Sequence, residues 1–245
     1  MEIRIRAVNP ANAENLIHDD EFARRLGYRG GLVPGVDLYA YLALLPEQAW
    51  GPSWLAGGSM WARFTRPVYD GEDVVARASE RPGGLDLELR NPADQVCVVG
   101  AAEPVDAEPP PAPARYPATP LPPDPGPPAF SEGQPLGSLE GYLEVPDAAW
   151  PAREANRLLM ANVRLAPWIH VESRVRYLAP VEEGERISVR GSVAKLWERR
   201  GHRYCELDVA VLSATEDPLA VIRHVTIYEL AGSPPGVGPS ATPSS

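Results

Sequence analysis

Histidine is the side chain best suited to acid–base chemistry near neutral pH, and the 245-residue sequence contains four. His18 is the only one in the first half, where it lies in an irregular stretch ahead of a short predicted helix. It could act as a general acid and base, or it could cap the helix that begins near Asp19. His170, His202 and His224 lie in predicted strands without metal-like spacing to another histidine, cysteine or acid. We therefore predict no metal site.

Two polar residues shortly before His18 could assist its acid–base chemistry. Glu14 could supply a carboxylate that orients the imidazole and sets which nitrogen carries the proton. The alternative is a solvated glutamate, since glutamate side chains are mostly exposed. Asn15 could hydrogen-bond a bound water, or it could shape the loop without touching any ligand.

A glycine-rich segment leads into the most apolar stretch of the chain. Gly30, Gly31 and Gly35 precede residues 36–50, which are apolar nearly all round and are predicted to form a buried helix. The free N–H of Gly35 at the helix start could bind a carbonyl oxygen as negative charge builds there. Gly35 could equally be an ordinary turn glycine.

Two side chains of this predicted helix could also serve a ligand. Asp37 lies in the first turn, where it could be a catalytic carboxylate or an acid that the helix dipole stabilises. Tyr39 could line a tunnel for an apolar ligand or belong to the core, where aromatic residues of buried helices usually lie.

The chain repeats one hairpin pattern in its two halves. The segment RFTRPVYDGEDVVAR, residues 63–77, returns without a gap as RYLAPVEEGERISVR, residues 176–190. Each copy is typical of a strand, a tight turn at Gly-Glu and a second strand. The long period excludes a solenoid, whose units recur about every 20–50 residues. It predicts two fused copies of one small domain.

Hydrophobic periodicity predicts the same element order in both halves. An α+β unit in which one apolar helix is wrapped by an antiparallel sheet fits that order. The first half is predicted to contain strands at 3–7, 58–66, 72–80, 84–90 and 95–103, with helices at 21–26 and 36–50. The second is predicted to contain strands at 136–145, 168–178, 185–198, 202–213 and 218–230, with a helix at 151–165.

Proline content predicts the domain boundaries. Residues 104–128 are proline-dense and cannot form sheet ladders or a helix interior, so they should run extended between the halves. We therefore expect a first unit at 1–103 that bears the candidate site and a linker at 104–130. A second unit at 131–231 and a disordered tail at 232–245 follow.

Composition argues against several classes of function. The net charge of −10 disfavours a nucleic-acid partner, because phosphate binding relies on a basic face. No apolar run is long enough to span a membrane, and the N-terminus lacks the apolar core of a signal peptide. Cys97 and Cys205 lie in apolar strand-like runs and are expected to be buried thiols. We expect a cytoplasmic protein with no membrane partner.

The motif around His18 resembles that of the MaoC-like acyl dehydratases. These hotdog-fold proteins include the (R)-specific enoyl-CoA hydratases. Their signature is Asp-x-Asn-Pro-x-His, followed by a short helix and then by Gly-Gly-x-x-x-His-Gly before the central helix. Asn15 and His18 occupy the Asn and His positions, and Gly30, Gly31 and Gly35 match the glycines. The second half, with WIHVESRVRYLAPV, looks like the second unit of a double-hotdog member. The resemblance implies a double hotdog fold.

Three positions depart from the signature of this family. Ala13 occupies the position of the catalytic aspartate, Leu16 replaces the motif proline, and Pro34 replaces the histidine before the last glycine. In the family, the aspartate and histidine hold the water that adds across a 2,3-enoyl thioester and handle its proton. Glu14 is the nearest carboxylate that could replace the missing one.

The resemblance implies an acyl-thioester ligand on CoA or an acyl carrier protein. The leading prediction is a hydratase or dehydratase, with His18, Glu14 and Asn15 as catalytic residues and no cofactor. Gly35, Gly31, Asp37 and Tyr39 are the predicted substrate contacts. One alternative is a thioesterase or another lyase or cyclase that uses Asp37 or Glu14. Another is a non-catalytic acyl-binding subunit, which Ala13 would explain. A homodimer or a partner subunit is also expected.

Overall fold

The computed structural model describes residues 1–10 and 15–231, in which ten antiparallel strands form one sheet. The strands are β1 (Glu2–Arg6), β2 (Ser59–Phe64), β3 (Asp73–Arg81), β4 (Gly84–Arg90), β5 (Val96–Glu103), β6 (Pro135–Tyr142), β7 (Ile169–Tyr177), β8 (Arg186–Arg199), β9 (His202–Ser213) and β10 (Pro218–Glu229). Their order in the sheet is β1-β3-β4-β5-β2-β7-β10-β9-β8-β6. The predicted strands are therefore present, with ends that differ by a few residues.

The sheet order is symmetric about its centre, as a duplication requires. The first half supplies β1-β3-β4-β5-β2, and the second supplies the equivalent strands in reverse order. The halves join where β2 pairs antiparallel with β7, from Ser59 opposite Arg176 to Arg63 opposite Glu172. This junction leaves no exposed inner edge on either half.

One long helix lies in each half. Helix α2 (Gly35–Trp50) buries Leu38, Tyr39 and Leu42, and α3 (Trp150–Asn162) buries Leu158 and Leu159. Both helices pack on the sheet within one continuous core. One central helix against an antiparallel sheet, present twice, is the predicted α+β double hotdog architecture, which is confirmed.

Helix α3 ends three residues earlier than predicted. We expected it to reach residue 165, but it stops at Asn162. The Asn162 amide donates to the carbonyl of Leu158 at 2.8 Å and of Gly137 at 2.8 Å, and its carbonyl oxygen accepts from Gly137 N at 2.6 Å. These bonds connect the helix end to β6, so Val163 leaves in an extended conformation.

The segment around His18 is more regular than predicted. The sequence predicts an irregular stretch at His18, but Leu16–His18 form a 3-10 turn whose N-cap is Asn15. A short helix, α1 (Asp20–Arg25), follows at once and is capped by Asp19, whose carboxylate accepts from Phe22 N at 2.7 Å. His18 is thus held between two capped turns.

The proline-rich segment runs outside the sheet. It contains a short 3-10 turn at Pro113–Arg115. Tyr116 is buried against β9 and β10 and donates its hydroxyl to Asp208 at 2.9 Å. The predicted tail at 232–245 lies outside the described residues. Among the described helices, none is long and apolar enough to cross a bilayer.

Candidate active site

A cavity of about 320 Å³ lies between the two halves, beside the start of α2. Its wall is largely apolar and comes from both halves. Representative wall residues are Ile17, Leu38 and Phe64 from the first half and Met160, Trp168 and Ile227 from the second. The polar side chains that border it include His18, Asn15, Asn156 and His170. An apolar cavity with a few convergent polar groups is the usual form of a small-molecule site.

His18 borders this cavity in a fixed tautomer. Its Nδ1 lies 2.7 Å from the carbonyl oxygen of Leu32. A carbonyl oxygen can only accept, so Nδ1 carries the hydrogen and Nε2 keeps a lone pair, to which no residue in 1–10 or 15–231 donates. Burial lowers the pKa of His18, outweighing the opposite effect of the Leu32 hydrogen bond. The side chain is therefore a neutral base near neutral pH.

Asn15 connects the His18 turn to the second half of the chain. Its amide donates to Trp168 O at 2.9 Å, and its carbonyl oxygen accepts from Trp168 N at 3.3 Å and Ile17 N at 3.4 Å. The side chain is buried and borders the cavity. These contacts give Asn15 the loop-shaping role that the sequence left open, and its predicted catalytic role stays a prediction.

Gly31 allows the following loop to pass close to His18. A Cβ atom on Gly31 would lie 2.1 Å from the carbonyl oxygen of His18, so only glycine fits. The Gly31 N–H donates to the Asp20 carboxylate at 2.8 Å. Gly31 does not line the cavity. This predicted substrate contact packs against the backbone of His18 instead.

Gly35 lies at the cavity as the first residue of α2. Pro34, the N-cap, has no side chain that can bond the helix start, and the N–H groups of Gly35 and Val36 find no acceptor within residues 1–10 and 15–231. Helix starts with free N–H groups favour negative charge. The sequence prediction of a carbonyl-binding N–H therefore has a suitable position here.

Asp37 and Tyr39 lie away from the cavity wall. Half-buried Asp37 has a raised pKa, chiefly through burial, with a lowering effect from Arg153. Tyr39 is fully buried in the core and donates its hydroxyl to Met60 O at 3.0 Å. The structure thus does not bring these two predicted contacts to the cavity. Glu14 and Ala13 lie outside the described residues.

A buried hydrogen-bonded chain from the second half reaches the same cavity. His170 Nε2 lies 2.8 Å from Ser173 Oγ, which lies 2.9 Å from His224 Nδ1. Burial lowers the pKa of His170 well below its ordinary value, with a further lowering by His224, and burial lowers the pKa of His224 to about 3. Both imidazoles are therefore neutral near pH 7.

Sequence reasoning noted His170 and His224 in strands but gave neither a role. The contact arises because β7 and β10 pair with a register shift between Val225 and Thr226, which a pattern of apolar residues does not reveal. Asn156 on α3 was also missed. Its buried Oδ1 finds no donor among the described residues, and the side chain borders the cavity. No cluster of acids, histidines and cysteines in the described ranges could hold a metal ion.

No family profile and no curated protein sequence matches this chain. Solved structures do match it. Rv0216 from Mycobacterium tuberculosis, which has a double hotdog fold, is 17% identical with a TM-score of 0.57 over 88% of each chain. A MaoC-domain protein from Chloroflexus aurantiacus, assigned as a dehydratase, is 9% identical with a TM-score of 0.55 over 94% of this chain and 95% of that chain.

A third similar structure has a different assigned chemistry. The protein comes from Lactobacillus plantarum and is assigned as an oleoyl thioesterase. It is 11% identical with a TM-score of 0.54 over 94% of this chain and 96% of that chain. Because these identities are low, the three similarities establish the fold alone: this chain is a double hotdog protein. Its chemistry has to be argued from the cavity.

Proposed function

We propose that this chain is a hydratase or dehydratase that adds or removes water at the 2,3-position of an acyl thioester. The observation that supports this most directly is the bond from His18 Nδ1 to Leu32 O. It fixes the hydrogen on Nδ1 and leaves the Nε2 lone pair of this cavity-lining histidine available as a base. A neutral base of this kind suits removal of the weakly acidic proton next to a thioester carbonyl.

His18 Nε2 would take the proton from C2 of a 3-hydroxyacyl thioester. The electron pair of the broken C–H bond moves toward the thioester carbonyl, whose oxygen becomes negative. The pair then forms the C2–C3 double bond as the C3–O bond breaks. His18 returns its proton to the departing hydroxide, so the products are water and a 2-enoyl thioester. Hydration is the reverse.

The start of α2 would stabilise the negative charge on the thioester oxygen of the intermediate. The free N–H of Gly35 would donate to the thioester oxygen as it becomes negative, and the α2 dipole would strengthen this interaction. The Asn156 side chain borders the cavity, and its Oδ1 has no hydrogen-bond partner among the described residues, so this side chain would bind the 3-hydroxyl group or the attacking water. The Leu32 carbonyl orients the imidazole, which is the role that a carboxylate at position 13 has in the family that the motif resembles.

The cavity size favours a short acyl group. Its volume of about 320 Å³ lies near the lower end of the roughly 300–1,000 Å³ usual for ligand sites. We therefore choose crotonyl-CoA, a four-carbon 2-enoyl thioester, as the first probe. The carrier, CoA or an acyl carrier protein, is left open by the proposal.

Thioester hydrolysis is the second candidate. The same cavity, neutral imidazole and N–H donors could activate a water molecule for attack on the carbonyl carbon. The similarity to a structure assigned as an oleoyl thioesterase favours this alternative. Tight acyl-thioester binding without turnover would instead support a binding subunit.

One experiment separates these functions. The purified full chain is incubated with crotonyl-CoA while loss of the conjugated double bond and release of free thiol are recorded separately. We expect loss of the double bond without thiol release in wild type and in His202→Gln, and neither change in His18→Gln. Thiol release that depends on His18 would favour hydrolysis. If crotonyl and longer 2-enoyl thioesters neither react nor bind, whether they are carried on CoA or on an acyl carrier protein, the proposal is wrong.

A further inference from the structure

The mechanism above does not use the buried chain His170–Ser173–His224. His170 is 6% exposed, and Ser173 and His224 are fully buried. Two ring nitrogens at the ends of this chain, His170 Nδ1 and His224 Nε2, find no hydrogen-bond partner among the described residues. Buried polar atoms without partners are rare in folded proteins, so these two require an explanation.

The single hydroxyl hydrogen of Ser173 couples the tautomers of the two histidines. If Ser173 donates to His170 Nε2, it accepts from His224 Nδ1, and His170 then carries its hydrogen on Nδ1. If Ser173 donates to His224 Nδ1, it accepts from His170 Nε2, and His170 Nδ1 is then a bare lone pair. The neutral chain therefore has two hydrogen-bonding patterns.

The surroundings of His224 favour the first pattern. His224 Nε2 is fully buried and does not border the cavity, so no ligand can satisfy it there. An unpaired N–H is rarer in protein interiors than an under-satisfied acceptor. His224 then carries its hydrogen on Nδ1 and leaves Nε2 as the lone pair. It follows that His170, the histidine of the pair that borders the cavity, carries its hydrogen on Nδ1.

His170 Nδ1 lies directly against the start of α2. A Cβ atom on Gly35 would lie 2.7 Å from it, and both residues border the cavity. Glycine at position 35 therefore lets the buried imidazole nitrogen approach the helix start that carries the Gly35 N–H. Two donors that converge beside a helix start form a site for an oxygen that gains negative charge.

We propose that His170 Nδ1–H is the second oxyanion donor of this site, beside Gly35 N–H, and that Ser173 and His224 hold it in the donor tautomer. This rests on the proposed function, because the oxygen it binds is that of the acyl thioester. His170 donates a hydrogen bond without giving up its proton, so no charge has to enter the buried chain. Its neutrality also keeps the empty site free of a buried cation.

The tautomer can be measured without any turnover. Nitrogen-15 NMR of ring-labelled full chain should show His170 protonated on Nδ1 and not on Nε2. Saturated butyryl-CoA, which cannot be hydrated, should shift the His170 Nδ1–H signal. Ser173→Ala should give a mixture of tautomers. A wild-type His170 that is protonated on Nε2 would overturn the proposal, and so would an Nδ1–H signal unchanged by saturating butyryl-CoA.

Kinetics provide an independent test. Gly35→Ala keeps its backbone N–H but places a methyl group against His170 Nδ1, so kcat should fall about 100- to 1,000-fold. Gly57→Ala, whose added Cβ would have nothing within 4 Å, should match wild type. His170→Phe, which keeps a ring but removes the donor, should lower kcat to a similar extent, and Ser173→Ala should lower kcat with little change in KM.

Folding and function can be distinguished in this set. Circular dichroism would show whether Gly35→Ala folds, and His170→Phe tests the donor if it does not. Unchanged kcat in folded His170→Phe contradicts the proposal. If wild type neither hydrates nor hydrolyses a thioester, the proposed function fails, while the butyryl-CoA shift at His170 still decides whether this donor exists.

Discussion

His18 Nδ1 and Leu32 O, 2.7 Å apart, form the hydrogen bond that sets the chemistry of this site. The backbone carbonyl fixes the tautomer that a carboxylate would otherwise fix. It does so without adding a negative charge, so it raises the basicity of the imidazole less than a carboxylate would. Burial consequently dominates, and the pKa of His18 falls below its ordinary value of 6.5.

The first prediction concerns the pH dependence of kcat/KM. The base must be unprotonated in the free enzyme, so activity should rise with pH through the pKa of His18 and then level off. Because that pKa is lowered, the midpoint of the acid limb should lie below 6.5. The profile is measured with crotonyl-CoA, using buffers that overlap in pH. A midpoint above 6.5 would indicate a nearby negative charge that this account lacks.

The second prediction concerns Asn15. Asn15→Ala removes the side-chain hydrogen bonds to Trp168 and leaves the N–H and carbonyl groups of Trp168 without these partners. This loss should lower the unfolding free energy by about 1–3 kcal/mol. Activity should also fall, because the His18 turn loses its N-cap. Chemical denaturation and kcat are the two measurements. Full stability in the variant would show that Asn15 does not connect the two halves.

The third prediction uses Gly31. In Gly31→Ala the new methyl group would meet the carbonyl oxygen of His18 at 2.1 Å, so the His18 turn has to move. Hydration activity should drop at least tenfold, although Gly31 does not border the cavity. Gly57→Ala is the matched control, since its added methyl group meets nothing. Wild-type activity in Gly31→Ala would mean that the position of His18 is not critical.

The fourth prediction concerns stability at acid pH. The folded-state pKa of His224 is about 3, and its ordinary value is 6.5. Between these two pH values, His224 is therefore protonated in the unfolded chain and neutral in the folded chain. The unfolding free energy should fall by about 1.4 kcal/mol per pH unit from this group until pH reaches about 3. Denaturation of wild type and His224→Asn from pH 7 to pH 4 should show a flatter slope in the variant. Parallel slopes would contradict the buried neutral state of His224.

Much of the fold could be predicted from the sequence because its signals are local. Alternating apolar residues and the repeated Pro-Val-x-x-Gly-Glu hairpin gave the strands, and Gly35 marked the start of α2 correctly. The end of α3 could not be predicted, because Asn162 terminates the helix through a bond to Gly137 that only the folded chain provides.

From the sequence, only the part of the candidate site that the first half contributes could be predicted. One continuous segment of the first half contains the motif residues Asn15, His18 and Gly35. The structure brings all three to the cavity. His170 and Asn156 come from the second half and meet them only through the pairing of β2 with β7 and the packing of α3. No spacing along the chain indicates such contacts. The roles of Asp37, Tyr39 and Glu14 stay predictions.

The most direct test of the central claim follows the C2 proton itself. A 3-hydroxybutyryl-CoA of defined configuration is incubated with the protein in D2O, and deuterium at C2 of the recovered 3-hydroxybutyryl-CoA is measured by NMR and mass spectrometry. We predict that wild type incorporates deuterium at C2, that His202→Gln does the same, and that His18→Gln is slower by about 100- to 10,000-fold. Equal exchange in wild type and His18→Gln would show that His18 is not the base and would contradict the account.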